Sequence, residues 1–143
     1  MEASQEARLT VLDSSALLVL LLNEPARDAV EVLIHSRPLI SAVNLVEVID
    51  RLVRGEGIDA EDANDAVDLL IVAGLEVQPF WLPDARNAAA IRARFYHRSK
   101  APLSLADCVC IATALRQHAD LATTDGALAR AAREVGVSVT ELA

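Results

Sequence analysis

A chain of 143 residues with 53% hydrophobic content suits one domain with a sizeable core, and that content excludes a disordered chain. Thirteen basic residues against twenty-one acidic ones give a net charge of -8, which argues against a general nucleic-acid binder, because such binding comes from neutralising phosphates. It leaves room for a nucleic-acid enzyme whose positive charge is supplied by bound metal.

In chain order, Leu9 to Leu12 (LTVL) reads as a short buried strand ending at Asp13, followed by a helix over 14–22. Asn23, Glu24 and Pro25 restart a second helix, with Pro25 suited to its first turn. PLIS at 38–41 is a second strand. Helical patterns follow over 42–54 and 59–72, separated by the break from Gly55 to Gly57. Leu75 to Phe80 is a third strand, and 84–98 is helical with a basic face. A helix follows over 104–118; the stretch LSLADCVCIATAL at 103–115 is almost wholly apolar but holds one carboxylate, Asp107. DLAT at 120–123 is a fourth strand, 126–135 a helix, and Val137 to Val139 a last short strand. Strands alternating with helices imply an α/β fold, a three-layer α/β/α domain around a central parallel sheet of about five short strands.

The two cysteines, Cys108 and Cys110, point about 200° apart around their helix and cannot readily bridge each other. With no neighbouring Cys or His cluster they make a poor zinc site, so they read as buried thiols of a reducing cytoplasm. MEASQEARLT lacks the basic start and apolar run of a signal peptide, and the apolar run ALLVLLL at 16–22 is too short for a bilayer. A cytoplasmic protein without membrane contact is expected. The few aromatics, Phe80, Trp81, Phe95 and Tyr96, argue against a base-stacking platform as a binding device.

Four acids carry the functional argument, and each has an ordinary structural explanation. Ser104 to Asp107 matches a capping box. Asp13, after a strand and before a helix, suits an N-cap, as does Asp125 in TTDGALARAA. Glu47, in SAVNLVEVIDRL, stands four residues before Arg51, at ion-pair spacing. Their joint placement says more. Asp13 and Asp125 follow strands and Asp107 begins a helix, so all three fall on the carboxyl edge of a parallel sheet, where ligands bind. Glu47 faces the same edge if its helix packs conventionally. Two anions about 5 Å apart repel by roughly 3 kcal/mol at an effective dielectric near 20. A hard divalent cation with oxygen ligands, Mg²⁺ or Mn²⁺, is the natural counter-charge.

The blocks LTVLDSSALL, SAVNLVEV, LSLADCVCIATAL and LATTDGALARAA together resemble the PIN-domain nuclease family, in particular the VapC toxins of bacterial toxin–antitoxin pairs. The resemblance runs from Leu9 to Val139 with all blocks in family order. It implies a single nuclease domain over 1–143 and a metal-dependent endoribonuclease whose acidic quartet is Asp13, Glu47, Asp107 and Asp125. It further implies a homodimer, an RNA substrate and inhibition by a cognate small antitoxin protein. Cys108 stands where some members carry a basic residue after the third acid.

The chemistry expected from such a quartet is in-line attack of an activated water on a phosphodiester, with the metal stabilising the developing charge; the resemblance implies 5′-phosphate and 3′-hydroxyl products. Asp13 and Asp107 are the expected inner-sphere ligands, with Glu47 and Asp125 acting through water or a second ion. Ser14 and Ser15 are candidates for orienting such waters, or for local capping. His35, His97 and His118 are scattered and offer no alternative set. Arg86, Arg92, Arg94, Arg98 and Lys100 form a basic strip that suits RNA phosphates or a solvated helix face. Residues 56–76 carry seven acids and no Lys or Arg, a face expected to repel RNA and to meet solvent or a basic stretch of a partner.

Three other readings are weaker. A receiver-type phosphoacceptor domain gathers acids at the same edge but needs a Lys near the last strands, and Lys100 is the chain's single Lys. A dinucleotide-binding fold needs a glycine-rich first turn, where this chain has DSSALL. A non-catalytic PIN-like binding module uses the same scaffold and is distinguished by loss of the quartet.

Overall fold

The computed structural model describes residues 8–96 and 103–142. Five strands form one sheet: β1 (Thr10–Leu12), β2 (Leu39–Ser41), β3 (Glu76–Gln78), β4 (Asp120–Thr123) and β5 (Val139–Glu141), in the order β3-β2-β1-β4-β5. All neighbouring pairs are parallel, and Val11 stands opposite both Leu39 and Leu121. The chain lays β2 and β3 to one side of β1, then crosses back to lay β4 and β5 on the other. The boundary between β1 and β4 is therefore the point where strand order reverses, and the crevice beyond their carboxyl ends is open to side chains.

Helices cover both faces: α1 (Ser14–Leu21), α2 (Arg27–Ile34), α3 (Ala42–Asp50), α4 (Ala60–Ala73), α5 (Leu82–Tyr96), α6 (Leu105–Gln117) and α7 (Gly126–Glu134). Alternate strand residues serve opposite layers. Val11, Leu39 and Leu121 pack with α5, α6 and α7, whereas Leu12, Ile40 and Ala122 pack with α1 to α4. This is why LTVL and PLIS read as nearly continuous apolar runs. The core of α6 is buried all round from Cys108 to Ala114, and Thr113 tolerates this because its hydroxyl donates to the Val109 carbonyl, 2.9 Å away. A buried ion pair ties α6 to α5: Arg116 Nε donates to Asp84 Oδ1 at 2.7 Å, while Asp84 Oδ2 accepts from the Trp81 N–H at 3.1 Å.

The three-layer parallel architecture matches the sequence reading, with local differences. Pro25 precedes α2, which begins at Arg27, because the chain turns through Asn23 at positive φ (55°) and the Glu24 N–H bonds back to Val19. Helix α3 passes into a π turn over Arg51–Gly55, closed by the Glu56 N–H on the Arg51 carbonyl. Strand β3 stops at Gln78, short of Phe80. Strand β5 lies two residues later than Val137 to Val139, since its pairing to β4 starts at Val139. Gly74, between α4 and β3, is needed where it stands: its φ is 137°, and a Cβ would come 2.7 Å from the Ile34 carbonyl oxygen. Among the described residues no helix is long and apolar enough to cross a membrane.

Candidate active site

Asp13 is the first residue after β1 and the N-cap of α1, where it accepts from the Ala16 N–H at 2.9 Å. It is buried (3% exposed) and surrounded by hydroxyls. Ser15 Oγ lies 2.7 and 2.9 Å from its two carboxylate oxygens, and Thr123 Oγ1, at the end of β4, donates to Oδ2 at 2.5 Å. Thr123 thus bridges the strand-order boundary, reaching an acid 110 residues away in sequence. Burial outweighs these hydrogen bonds and pushes the Asp13 carboxyl up to about 6; the charge of Asp107 adds to the rise.

The capping box at α6 forms as expected. The Asp107 N–H donates to Ser104 Oγ at 3.0 Å, and the Ser104 N–H donates back to Asp107 Oδ2 at 3.1 Å. The Asp107 carboxyl is nevertheless raised, first by burial and then by the charges of Asp125 and Glu47. Asp125 caps α7 by accepting from the N–H groups of Ala127 and Leu128 at 2.9 and 3.2 Å. Glu47 does not pair with Arg51. Arg51 bonds instead to Glu56, 3.3 Å away, and Glu47 Oε1 accepts from Asn44 Nδ2 at 3.2 Å.

The four acids therefore reach one edge: the charge of Asp107 acts on Asp13, and the charges of Asp125 and Glu47 act on Asp107. Among the described residues, no three of them already surround a cation-sized position. Nor does any Lys or Arg among the described residues pair with any of the four. That separates them from Asp50, Asp84, Asp120 and Glu141, which each hold an arginine at 2.7–3.0 Å. Their partners are neutral: hydroxyls, a side-chain amide and backbone N–H groups. An all-oxygen donor set under mutual repulsion, with no organic cation, fits a hard divalent ion.

Sequence reasoning missed Thr123 and Asn44. Their signals were present, as a Thr pair directly before Asp125 and as an amide one helical turn before Glu47, but neither spacing says which acid is met. Ser15, one of two serines singled out, is the one that touches Asp13, and it also accepts from the Thr124 N–H at 3.0 Å.

Of the basic strip, Arg86 and Arg94 are exposed on α5. Arg92 is half-buried, with its guanidinium 5.3 Å from the Tyr96 ring centroid and close enough to Cys108 to act on its thiol. His97, Arg98 and Lys100 lie outside the described residues. The seven acids of residues 56–76 are all exposed.

Cys108 and Cys110 are free, buried thiols. Burial raises both, Cys108 to about 11, and the neighbouring carboxylates raise them further, so both are neutral at pH 7 and poor ligands. Replacing both with Ala should cost about 1–3 kcal/mol of packing, read in a denaturant melt, and leave divalent-metal binding unchanged. A folded double variant that no longer binds Mn²⁺ would contradict an oxygen-only site.

A family model described as PIN domain matches residues 10–134 of the chain. None of the curated proteins matches. Among solved structures, FitAcB from Neisseria gonorrhoeae is 24% identical, over 93% of this chain and 97% of that one, with a TM-score of 0.66. DNA-bound VapBC from Salmonella typhimurium is 22% identical over 94% and 98%, with a TM-score of 0.69. Mycobacterium tuberculosis VapC20, a sarcin–ricin loop cleaving toxin, is 20% identical over 85% and 94%, with a TM-score of 0.66. At these identities the likenesses establish a shared fold.

Proposed function

The chain belongs to the PIN domain family, and from that membership we propose that it is a Mg²⁺- or Mn²⁺-dependent endoribonuclease, the toxin of a type II toxin–antitoxin pair. The observation that carries the reading is the gathering of Asp13, Glu47, Asp107 and Asp125 at the strand-order boundary, with only neutral partners among the described residues. Asp13 and Asp107 would hold the ion directly, with Glu47 and Asp125 contributing through water or a second ion. When bound, the ion would supply an activated water and stabilise charge on the phosphodiester oxygens.

The chain's own groups prepare this. A carboxylate offers about four acceptor sites, and each cap uses only part of them, so capping and ligation are compatible; drawing the four around an ion takes side-chain rotation. Thr123 and Ser15 fix the Asp13 carboxylate from two elements without neutralising it. The capping box fixes Asp107 in the same way. Burial at this edge strengthens attraction to a cation. Arg86, Arg92, Arg94, Arg98 and Lys100 are proposed to meet RNA phosphates, while the acidic residues 56–76 turn RNA away from the opposite side.

Likeness to VapC20 supports RNA as the substrate, and likeness to VapBC and FitAcB supports a small antitoxin partner. We likewise propose a homodimer, which the family resemblance implies. Incubation with structured RNAs should give defined cuts with Mg²⁺ or Mn²⁺ and none after chelation. Uncut RNA under every metal condition would return the chain to a non-catalytic binding module on a PIN-like scaffold.

A further inference from the structure

Asn44 is wholly buried (0% exposed) within α3. Both hydrogens of its amide are used across the candidate site. One goes to Glu47 Oε1 at 3.2 Å and the other to the Ala106 carbonyl at 3.1 Å, in the first turn of α6. Ala106 directly precedes Asp107, so one side chain grips one acid and the backbone that carries another. Its own Oδ1 is buried and finds no hydrogen-bond partner among the described residues. An unpaired buried acceptor costs stability, and a leucine of similar volume would avoid that cost. Stability alone does not account for an amide here.

The chemistry of the grip is informative. A Lys or Arg beside Glu47 would orient it but cancel its charge. An amide orients the carboxylate and leaves the negative charge intact for a cation. Arg51, the cation at pairing distance along the helix, is drawn off by Glu56.

We propose that Asn44 is a positioning residue for divalent-cation binding: it orients Glu47 and fixes α3 against the turn of α6 that presents Asp107. This rests on the metal-dependent reading above and adds to it the element that sets the separation of two of its ligands.

The test is direct Mn²⁺ binding, read from the electron paramagnetic resonance signal of free Mn²⁺, on wild type, Asn44→Leu and Asn44→Ala. Either variant should fold, with Leu melting at or above wild type, and bind Mn²⁺ roughly 10- to 100-fold more weakly. RNA cleavage should fall at low Mn²⁺ and recover in excess Mn²⁺ with KM for RNA unchanged, a rescue that a purely structural defect would not show. A folded variant with wild-type Mn²⁺ affinity overturns the role of Asn44 and leaves the metal reading standing. A wild type that binds no Mn²⁺ overturns both. Failure of both variants to fold assigns Asn44 to the core and overturns the positioning role.

Discussion

Asp107→Asn is expected to fold normally and to lose RNA cleavage by at least about a hundredfold. The capping box explains why the fold survives. Asparagine keeps the length of the side chain and an oxygen for the Ser104 N–H, now 3.1 Å from Asp107 Oδ2. What it loses is a negative charge near a helix N-terminus, worth about 0.3–1 kcal/mol. The loss is offset because that charge is crowded by Glu47 and Asp125 and raised by burial. Ser104→Ala is the matched contrast. It removes the hydroxyl that accepts from the Asp107 N–H and should cost about 1 kcal/mol. Its own backbone N–H still reaches Asp107, so cleavage should stay within a few fold of wild type. Melting curves and a single-turnover cleavage assay separate the two variants. An active Asp107→Asn enzyme would show that this carboxylate serves only as a cap.

Asp13→Asn should raise the melting temperature of the metal-free protein at neutral pH and cancel its response to metal. Asp13 titrates near 6 in the folded chain, against about 3.9 for an unperturbed Asp. Below pH 4 both states are protonated and this group is neutral in its effect. Between about 4 and 6 the unfolded chain gives up the proton and the folded one keeps it, so stability falls as pH rises. Above 6 the full penalty stands, on the order of 3 kcal/mol. Asn removes the ionisation. Its Oδ1 can accept from Ala16, and the hydroxyls of Ser15 and Thr123 can turn to accept from its amide. The variant should therefore match wild type below pH 4 and melt several degrees higher at pH 7. Millimolar Mn²⁺ should stabilise wild type by mass action, most strongly above pH 6 where the proton no longer competes, and leave Asp13→Asn nearly unmoved. A wild-type melt indifferent to both pH and Mn²⁺ would remove Asp13 from the ligand set.

Much of this molecule was determined by the sequence alone. Apolar runs at LTVL, PLIS and DLAT specify strands covered on both faces, and helices between them require parallel crossovers. Acids that stand just past the ends of β1 and β4, or open α6, must then fall on one edge of the sheet, because every strand of a parallel sheet ends on the same side. The capping box at Ser104 and Asp107 was equally legible, being a contact between residues three apart. Tertiary structure decided whatever depends on which distant groups meet. The start of β5 follows its register against Leu121, so apolar Val137 ends up in the core beside α7 rather than in the strand. Glu47 had a cation at correct spacing and takes the amide of Asn44 instead, because the π turn brings Arg51 to Glu56. The partnership of Thr123 with Asp13, and the burial that lifts the Asp13 carboxyl, arise only when β1 and β4 lie side by side. Local pattern determines which elements form and where they end, since those forces act between near neighbours; desolvation and long-range hydrogen bonds are set by packing, and they decide how the edge is charged.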